Sequence, residues 1–209
     1  LTGRTGVAIV TTGAGSTNAI TGVLSAWMDS MATVILSGNE NSRFTRPENR
    51  LRVWGVQGYE SAGAVAGMTK YSARVLDPRR IAYELEKAFH IAESGRPGPC
   101  WIDIPMDVQA SLVEEADLVH FDPLNEPLSG LPSRGAPTVE AGRALEMLRA
   151  AKRPVFWFGN GIRLAGAAGR LEGLLETARI PTLVSWTGID MVDSSHPLVY
   201  GRAGVYGQR

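Results

Sequence analysis

One cysteine, three histidines and no excess of either charge leave this chain short of several chemistries at once. A lone cysteine cannot close an internal disulfide, and Cys100, beside Trp101 in a strand-like run, reads as a small core residue rather than a nucleophile. His90, His120 and His196 are far apart and show none of the spacing that puts two imidazoles on one metal, so no metal-ligating residue is assigned. His90 falls off the apolar stripe of its helix and is read as solvated. With 21 basic residues against 21 acidic ones, nothing in the charge balance calls for nucleic acid or an anionic membrane surface. No apolar run approaches the roughly 20 residues that cross a bilayer, and no secretory signal is visible. No membrane partner is therefore expected, and a cytoplasmic, reducing compartment is the default. There is also no Gly-Lys-Ser/Thr phosphate loop and no Gly-x-Ser-x-Gly nucleophile elbow.

What the chain does have begins at Val7-Ala8-Ile9-Val10-Thr11-Thr12-Gly13-Ala14-Gly15-Ser16-Thr17-Asn18. A β-branched, apolar run stops at a glycine-bracketed turn, and a helical pattern starts at once. Open α/β sheets place their ligands at such carboxyl ends of strands. Gly13 and Gly15 let the backbone bend and allow close approach, and Ser16, Thr17 and Asn18 are expected to cap the helix.

Further strand-like runs fall at 33–37, 72–76 and 99–104, with helical patterns at about 16–28, 60–69 and 78–94. The first helix carries Ile20, Val23, Leu24 and Trp27 on one face, and the third carries Ile81, Leu85, Ala88, Phe89 and Ala92. Asp77-Pro78 opens the third helix; Gly95 and Pro97 close it. Pro123, Pro127, Gly130, Pro132, Gly135 and Pro137 then break the pattern and predict a linker over 110–137. Order resumes with a helix capped by Thr138 and running through Ala144, Leu145 and Leu148. A strand over 155–158, a helix over 166–178 and a strand over 182–186 follow. The expectation is an α/β protein of parallel-sheet, Rossmann-like layers: a first domain over 1–109, a linker, and a second α/β domain over 138–209. Trp101, Trp157 and Trp186, all in strand runs, are expected in the core; Trp54 adjoins the proposed pocket. The basic group Arg43, Arg46, Arg50 and Arg52, interrupted by Glu40 and Glu48, reads as a solvated loop or a subunit contact.

The Gly13 segment, continued through Asn41, resembles the pyrimidine-binding domain of thiamine diphosphate enzymes, specifically their acetolactate synthase-like group. Gly55-Val56-Gln57, Thr69-Lys70-Tyr71, Ser94-Gly95-Arg96-Pro97-Gly98-Pro99 and Trp101-Ile102-Asp103-Ile104-Pro105 agree in order with the same domain. Pro154-Val155-Phe156-Trp157-Phe158-Gly159-Asn160-Gly161 and Tyr200-Gly201-Arg202-Ala203-Gly204-Val205-Tyr206-Gly207-Gln208 are similar to the opening of the family's central domain.

The resemblance implies a partial pyrimidine-binding domain followed by an incomplete central domain. It further implies thiamine diphosphate shared between subunits of a homodimer or homotetramer, and a 2-oxo acid substrate that is decarboxylated or ligated. Gly13, Ala14 and Gly15 match a turn, usually Gly-Pro-Gly in relatives, that packs on the pyrimidine; Ala14 keeps a small side chain but gives up proline's fixed φ. Asn18 either orients this turn or is an ordinary capping residue. Gln57 sits where the family carries an active-site glutamine and is the candidate catalytic contact, with Val56 replacing a neighbouring aromatic. Lys70 either meets an anion at the cleft or is solvated. Gly159, Asn160 and Gly161 occupy a position that holds FAD or another adenine nucleotide in some members, whereas Ala66 stands where many FAD-binding relatives carry arginine, so FAD stays open. The family's catalytic glutamate and its Mg2+ ligands, Gly-Asp-Gly with an asparagine, have no counterpart in these 209 residues. The chain is accordingly expected to be an internal fragment, inactive and poorly folding by itself. The alternatives are an adenine-nucleotide-binding module without thiamine chemistry, and a segment serving assembly only.

Overall fold

The computed structural model describes residues 3–45, 51–126 and 138–202. The chain forms two compact units, Leu1–Ser133 and Arg134–Arg209. In the first, β1 (Gly6–Val10) leads into α1 (Ala14–Met28), β2 (Thr33–Asn39), α2 (Ser61–Val65), β3 (Tyr71–Arg74), α3 (Ile81–Glu93), β4 (Pro99–Pro105) and α4 (Met106–Gln109). The four strands are all parallel, in the order β1-β2-β4-β3.

Alternation along the central strands sorts the core into two layers. Ile35 and Trp101 face Val23 of α1 and Val65 of α2. Val34, Cys100 and Ile102 face Ala88, Ile91 and Ala92 of α3. Being covered on both sides, β4 is buried almost throughout, as parallel strands are. Burial pushes the Cys100 thiol up to about 12, so it stays protonated and inert. Strand β1 lies at the edge, and Val7 and Ile9 share the α3 side with Val34 and Leu36 but stay exposed, because α3 packs over β2, β3 and β4.

Both helical stripes are rotated from the expected ones. In α1 the inward set is Ser16, Ala19, Ile20, Val23 and Ala26, leaving Leu24 and Trp27 44% and 41% exposed. The period is helical either way, but the smaller side chains let the helix sit close to the sheet. In α3 the buried residues are Tyr83, Glu84, Ala88, Ile91 and Ala92, while Phe89 is exposed. Glu84 is tolerated inside because its carboxylate accepts from the Tyr71 hydroxyl and from Arg80. His90 is exposed. Asp77 accepts from the backbone N–H of Arg79, and Pro78 opens a 3-10 turn that runs into α3.

The stretch read as a linker is fastened over its first half to α3 and to the 3-10 turn that precedes it. Val119 N–H donates to the Arg79 carbonyl and Phe121 N–H to Glu86. The Phe121 ring meets Tyr83 edge-on at 5.7 Å, and the Tyr83 hydroxyl donates to Glu126, which also pairs with Lys87. Pro127, Gly130, Pro132, Gly135 and Pro137 lie outside the described residues.

The second unit contains α5 (Thr138–Ala150), β5 (Phe156–Phe158), α6 (Gly161–Leu164), α7 (Leu171–Ala178), β6 (Thr182–Val184) and β7 (Val199–Arg202). Its strands are parallel in the order β5-β6-β7, and Phe158, Leu171, Leu175 and Val184 form its core. The helix expected over 166–178 is shorter, because Gly166 adopts φ +69° and breaks it from α6. Trp157 and Trp186, expected inside, are 67% and 70% exposed. Trp157 alternates away from Phe156 and Phe158, and Trp186 has already left the strand for a 3-10 turn. The capping role expected of Thr138 falls on a side chain outside the described residues.

Lys70 occupies the amino edge of the first sheet, just ahead of β3, where its backbone N–H donates to the carbonyl of Pro99, the first residue of β4. Its ammonium donates to the carbonyls of Ile91 and Ser94 at the end of α3. Desolvation lowers its pKa. It is a helix-end cation, on the edge opposite the Gly13 turn. Lys70→Met should cost about 1–2 kcal/mol in chemical denaturation while leaving substrate kinetics unchanged; altered kinetics with unchanged stability would reverse this placement.

Candidate functional site

At the carboxyl edge of the first sheet, β1 hands over to α1 in three residues. Gly13 is the helix N-cap at φ 65° and ψ −131°, a conformation open to glycine, and no side chain caps the helix. The expected caps lie too far along. Ser16 and Thr17 are inside the helix, bonding back to the carbonyls of Gly13 and Ala14, both at 3.0 Å, and Asn18 is exposed one residue further on. Because Gly13 absorbs the reversal alone, the helix starts two residues earlier than the polar triplet suggests.

The two stretches singled out in sequence meet here. A Cβ on Gly13 would lie 2.8 Å from the carbonyl oxygen of Gln57 and 3.1 Å from its Cβ. At Gly15 a Cβ would strike the Thr11 methyl of its own strand end. Ala14, Gln57 and Val56 are exposed, Val56 at 87%. Gln57 belongs to a short loop pinched at its base, where Trp54 and Gly58 exchange backbone hydrogen bonds of 2.8 Å. Trp54 is buried beneath it, with the Arg74 guanidinium 4.6 Å from its ring centroid. The loop closes over Glu40, whose Oε1 accepts the N–H groups of Val56 and Gln57, each at 3.2 Å.

Beneath this edge lies a buried polar network that the sequence reading missed. The Asp103 carboxylate of β4 accepts from Asn39 Nδ2 at 2.8 Å and Arg74 Nε at 2.7 Å. Burial raises the Asp103 pKa, opposed by the bonds from Arg74 and Asn39. The Arg74 guanidinium also reaches the Thr45 carbonyl and Glu60. Asn39 donates to the Tyr59 carbonyl at 3.0 Å and accepts the Glu40 N–H at 2.8 Å. The Tyr59 hydroxyl meets Ser16 Oγ at 2.9 Å. The turn after β1, the ends of β2 and β3, and the 54–58 loop thus hang on one carboxylate. A charged residue inside Trp101-Ile102-Asp103-Ile104 was the available signal, since an acid in a buried strand needs partners.

In the second unit, Gly159, Asn160 and Gly161 follow β5 directly and open α6. Asn160 Oδ1 accepts from Arg163, and among the described residues a Cβ on Gly161 would meet nothing within 4 Å. Ala66 starts a 3-10 turn and is exposed. Arg43 is exposed, stacked over Phe44 at 4.5 Å, and Arg52 is exposed. Arg46, Arg50 and the Gly204 to Gly207 turn lie outside the described residues. Among the described residues no three His, Cys, Asp or Glu side chains gather as a metal group, and no helix is long and apolar enough to cross a membrane.

Two outcomes follow for this edge. Arg74→Met leaves the Asp103 carboxylate buried without its cation and should cost about 3–5 kcal/mol at neutral pH. Because the folded Asp103 pKa is raised, its ionisation destabilises the fold as pH rises above the unfolded value of about 3.9, and the loss of Arg74 enlarges that penalty. The deficit measured by urea denaturation should therefore shrink toward pH 4; a deficit that grows in acid would contradict the assignment. Ala14→Pro, at the first helical position behind a glycine cap, should stabilise by about 0.5–1 kcal/mol in the same assay.

Comparison with known proteins gives this geometry a family. Residues 1–70 match the thiamine pyrophosphate enzyme N-terminal TPP binding domain, and residues 141–209 match the thiamine pyrophosphate enzyme central domain. The chain is 30% identical over 207 residues to the acetolactate synthase isozyme 1 large subunit of Escherichia coli K12, covering 99% of this chain and 34% of the relative. It is 32% identical over 208 residues to the acetolactate synthase of Arthrospira platensis, with the same coverage of 99% and 34%. The isozyme 3 large subunit of E. coli K12 is 33% identical over 207 residues, again 99% and 34%. The chain thus spans about a third of the length of these relatives. With two successive domain matches falling on its two successive parallel-sheet units, the chain belongs to the thiamine pyrophosphate enzymes and is similar along its whole length to acetolactate synthase large subunits.

Proposed function

We propose that the first unit supplies the pyrimidine-side wall of a thiamine diphosphate site in an acetolactate synthase-like enzyme acting on a 2-oxo acid. The observation that supports this most is the contact of Gly13 with Gln57, which joins the two matching stretches at the carboxyl edge of the sheet. The fit is steric and polar. Gly13, Ala14 and Gly15 offer a backbone shelf without a large side chain, and the exposed Gln57 amide both donates and accepts hydrogen bonds.

When bound, thiamine diphosphate supplies the electron sink for a carbanion formed next to a carbonyl. The residues of this chain orient and select. Ala14 sets how closely a flat ring can approach the turn. Asn18, one helical turn further along α1, is held in register by the Ser16 and Thr17 back-bonds. Gln57 hydrogen-bonds the reacting partner, and Val56 beside it shapes the space left for the substrate's side chain. Ligands for Mg2+ and the diphosphate are assigned to residues outside this sequence. In the second unit, Gly159, Asn160 and Gly161, directly after the carboxyl end of β5, form the candidate shelf for FAD. The assembled enzyme is proposed to be a homodimer or homotetramer.

The test uses the full-length protein stripped of cofactor and supplied with pyruvate. Consumption should require both thiamine diphosphate and Mg2+ and release acetolactate; acetaldehyde would make it a decarboxylase, and cofactor-independent turnover would defeat the proposal. Gln57→Ala should lower kcat/KM about 10- to 100-fold. The 209-residue polypeptide by itself should not turn over under the same conditions; robust activity would overturn that expectation.

A further inference from the structure

Glu40 follows directly after the last residue of β2, and its acid is spent on the loop that carries Gln57. Its Oε1 accepts two consecutive backbone N–H groups, from Val56 and Gln57, each at 3.2 Å. Consecutive amides converging on one anionic oxygen form a nest, and the bonds are charge-assisted. The side chain is enclosed by the two glycines of the loop. A Cβ on Gly55, which sits at φ +58°, would fall 2.6 Å from Glu40 Oε2, and one on Gly58 would fall 2.5 Å from Glu40 Cγ. Glu40 is itself fixed, because its backbone N–H donates to Asn39 Oδ1 at 2.8 Å while Asn39 is anchored on Asp103. No other hydrogen bond recorded among the described residues reaches the N–H of Val56 or Gln57.

We infer that Glu40 is a positioning residue for the reaction: its carboxylate is the template on which the 54–58 loop folds, and through that loop it sets where the Gln57 amide stands. This rests on the reading of Gln57 given above. The strand end supplies a rigid base and the loop supplies the contact, so the carboxylate converts a flexible segment into a preorganised one. The loop's glycines make room for the acid, since a side chain at either position would run into it; Gly55 is favoured besides by its φ of +58°, and a Cβ on Gly58 would also meet Asn39 Oδ1 and the Trp54 carbonyl.

The experiment is a double-mutant cycle on the full-length protein reconstituted with thiamine diphosphate and Mg2+, read as kcat and KM for pyruvate, with hydrogen exchange of the cofactor-free protein alongside. Glu40→Ala should lower kcat/KM about 10- to 100-fold and speed exchange of the Val56 and Gln57 amides while leaving β2 and β4 protected. Glu40→Gln keeps an acceptor oxygen, so it should recover most of the lost rate and folds even if the alanine variant does not. Glu40→Ala combined with Gln57→Ala should be no slower than Gln57→Ala alone, because Glu40 acts through Gln57. Losses that multiply, or amide exchange unchanged in Glu40→Ala, would overturn the assignment of Glu40 while leaving Gln57 in place. A Gln57→Ala variant with unchanged kcat/KM would instead remove the Gln57 reading, and this inference with it.

Discussion

A carboxylate buried in the middle of a parallel sheet is the constraint from which the carboxyl edge of the first unit is built. Asp103 is fully buried on β4, the strand between β2 and β3, so its charge must be answered by groups that those neighbours bring. Register delivers them: Arg74 stands opposite Asp103 on β3, and on β2 Asn39 stands two residues beyond the position opposite it. Arg74 neutralises the acid and Asn39 shares it, and each then has donors or acceptors left over for the loops above. Through Asn39 the acid holds Tyr59 and Glu40; through Arg74 it holds Glu60 and the Thr45 carbonyl. An apolar residue in place of Asp103 could pack the sheet as well, but it would leave these loops without a common anchor. Polar burial here serves geometry more than stability.

That division of labour explains why the edge can be both well defined and exposed. Ala14, Val56 and Gln57 are exposed, yet the Val56 and Gln57 N–H groups are held at the surface by Glu40, which is anchored from below through Asn39 on the buried Asp103. Preorganisation of this kind places the entropic cost of ordering a contact surface in the folding of the scaffold, before any ligand arrives. The opposite edge is treated differently. There Lys70 closes the end of α3 by satisfying its terminal carbonyls, a local repair that ties no loop to the site.

Much of the fold was legible from period alone, since β-branched runs at 7–12, 33–37 and 99–104 and the glycine after the first of them mark parallel strands and a turn. Which face of a helix is buried was less legible. In α1 the apolar stripe through Leu24 and Trp27 competes with a stripe of small residues, and hydrophobicity favours the first while close packing on a sheet favours the second. In α3 an acid, Glu84, took a core position because Tyr71 of the preceding strand, β3, could satisfy it, a pairing that no local pattern reveals. The exposed Trp157 misleads for a related reason, since strand alternation gives two faces and sequence does not say which is covered; Trp186 misleads because β6 ends at Val184, before reaching it. At the site, Gln57 and the Gly13 turn were visible through resemblance, whereas Asn39, Asp103 and Glu40 act through long-range bonds and were not.

The glycines of the two units carry different weight as markers of a ligand. Gly13 is required by the protein itself, since any side chain there would collide with the Gln57 backbone, and its φ of 65° is open to glycine besides. Its presence follows from packing whether or not a cofactor comes, so what points to a cofactor is the place where the contact occurs and the family that shares it. Gly161 is the reverse case. Its φ is not in the left-handed region, nothing stands within 4 Å of a Cβ there, and glycine at the start of a helix costs stability relative to alanine. Among the described residues nothing packs against it, but Gly142, Gly169 and Gly173 of the same unit are equally open, so spare room by itself marks no ligand; the nucleotide proposal attaches to where Gly159, Asn160 and Gly161 stand, directly after the carboxyl end of β5.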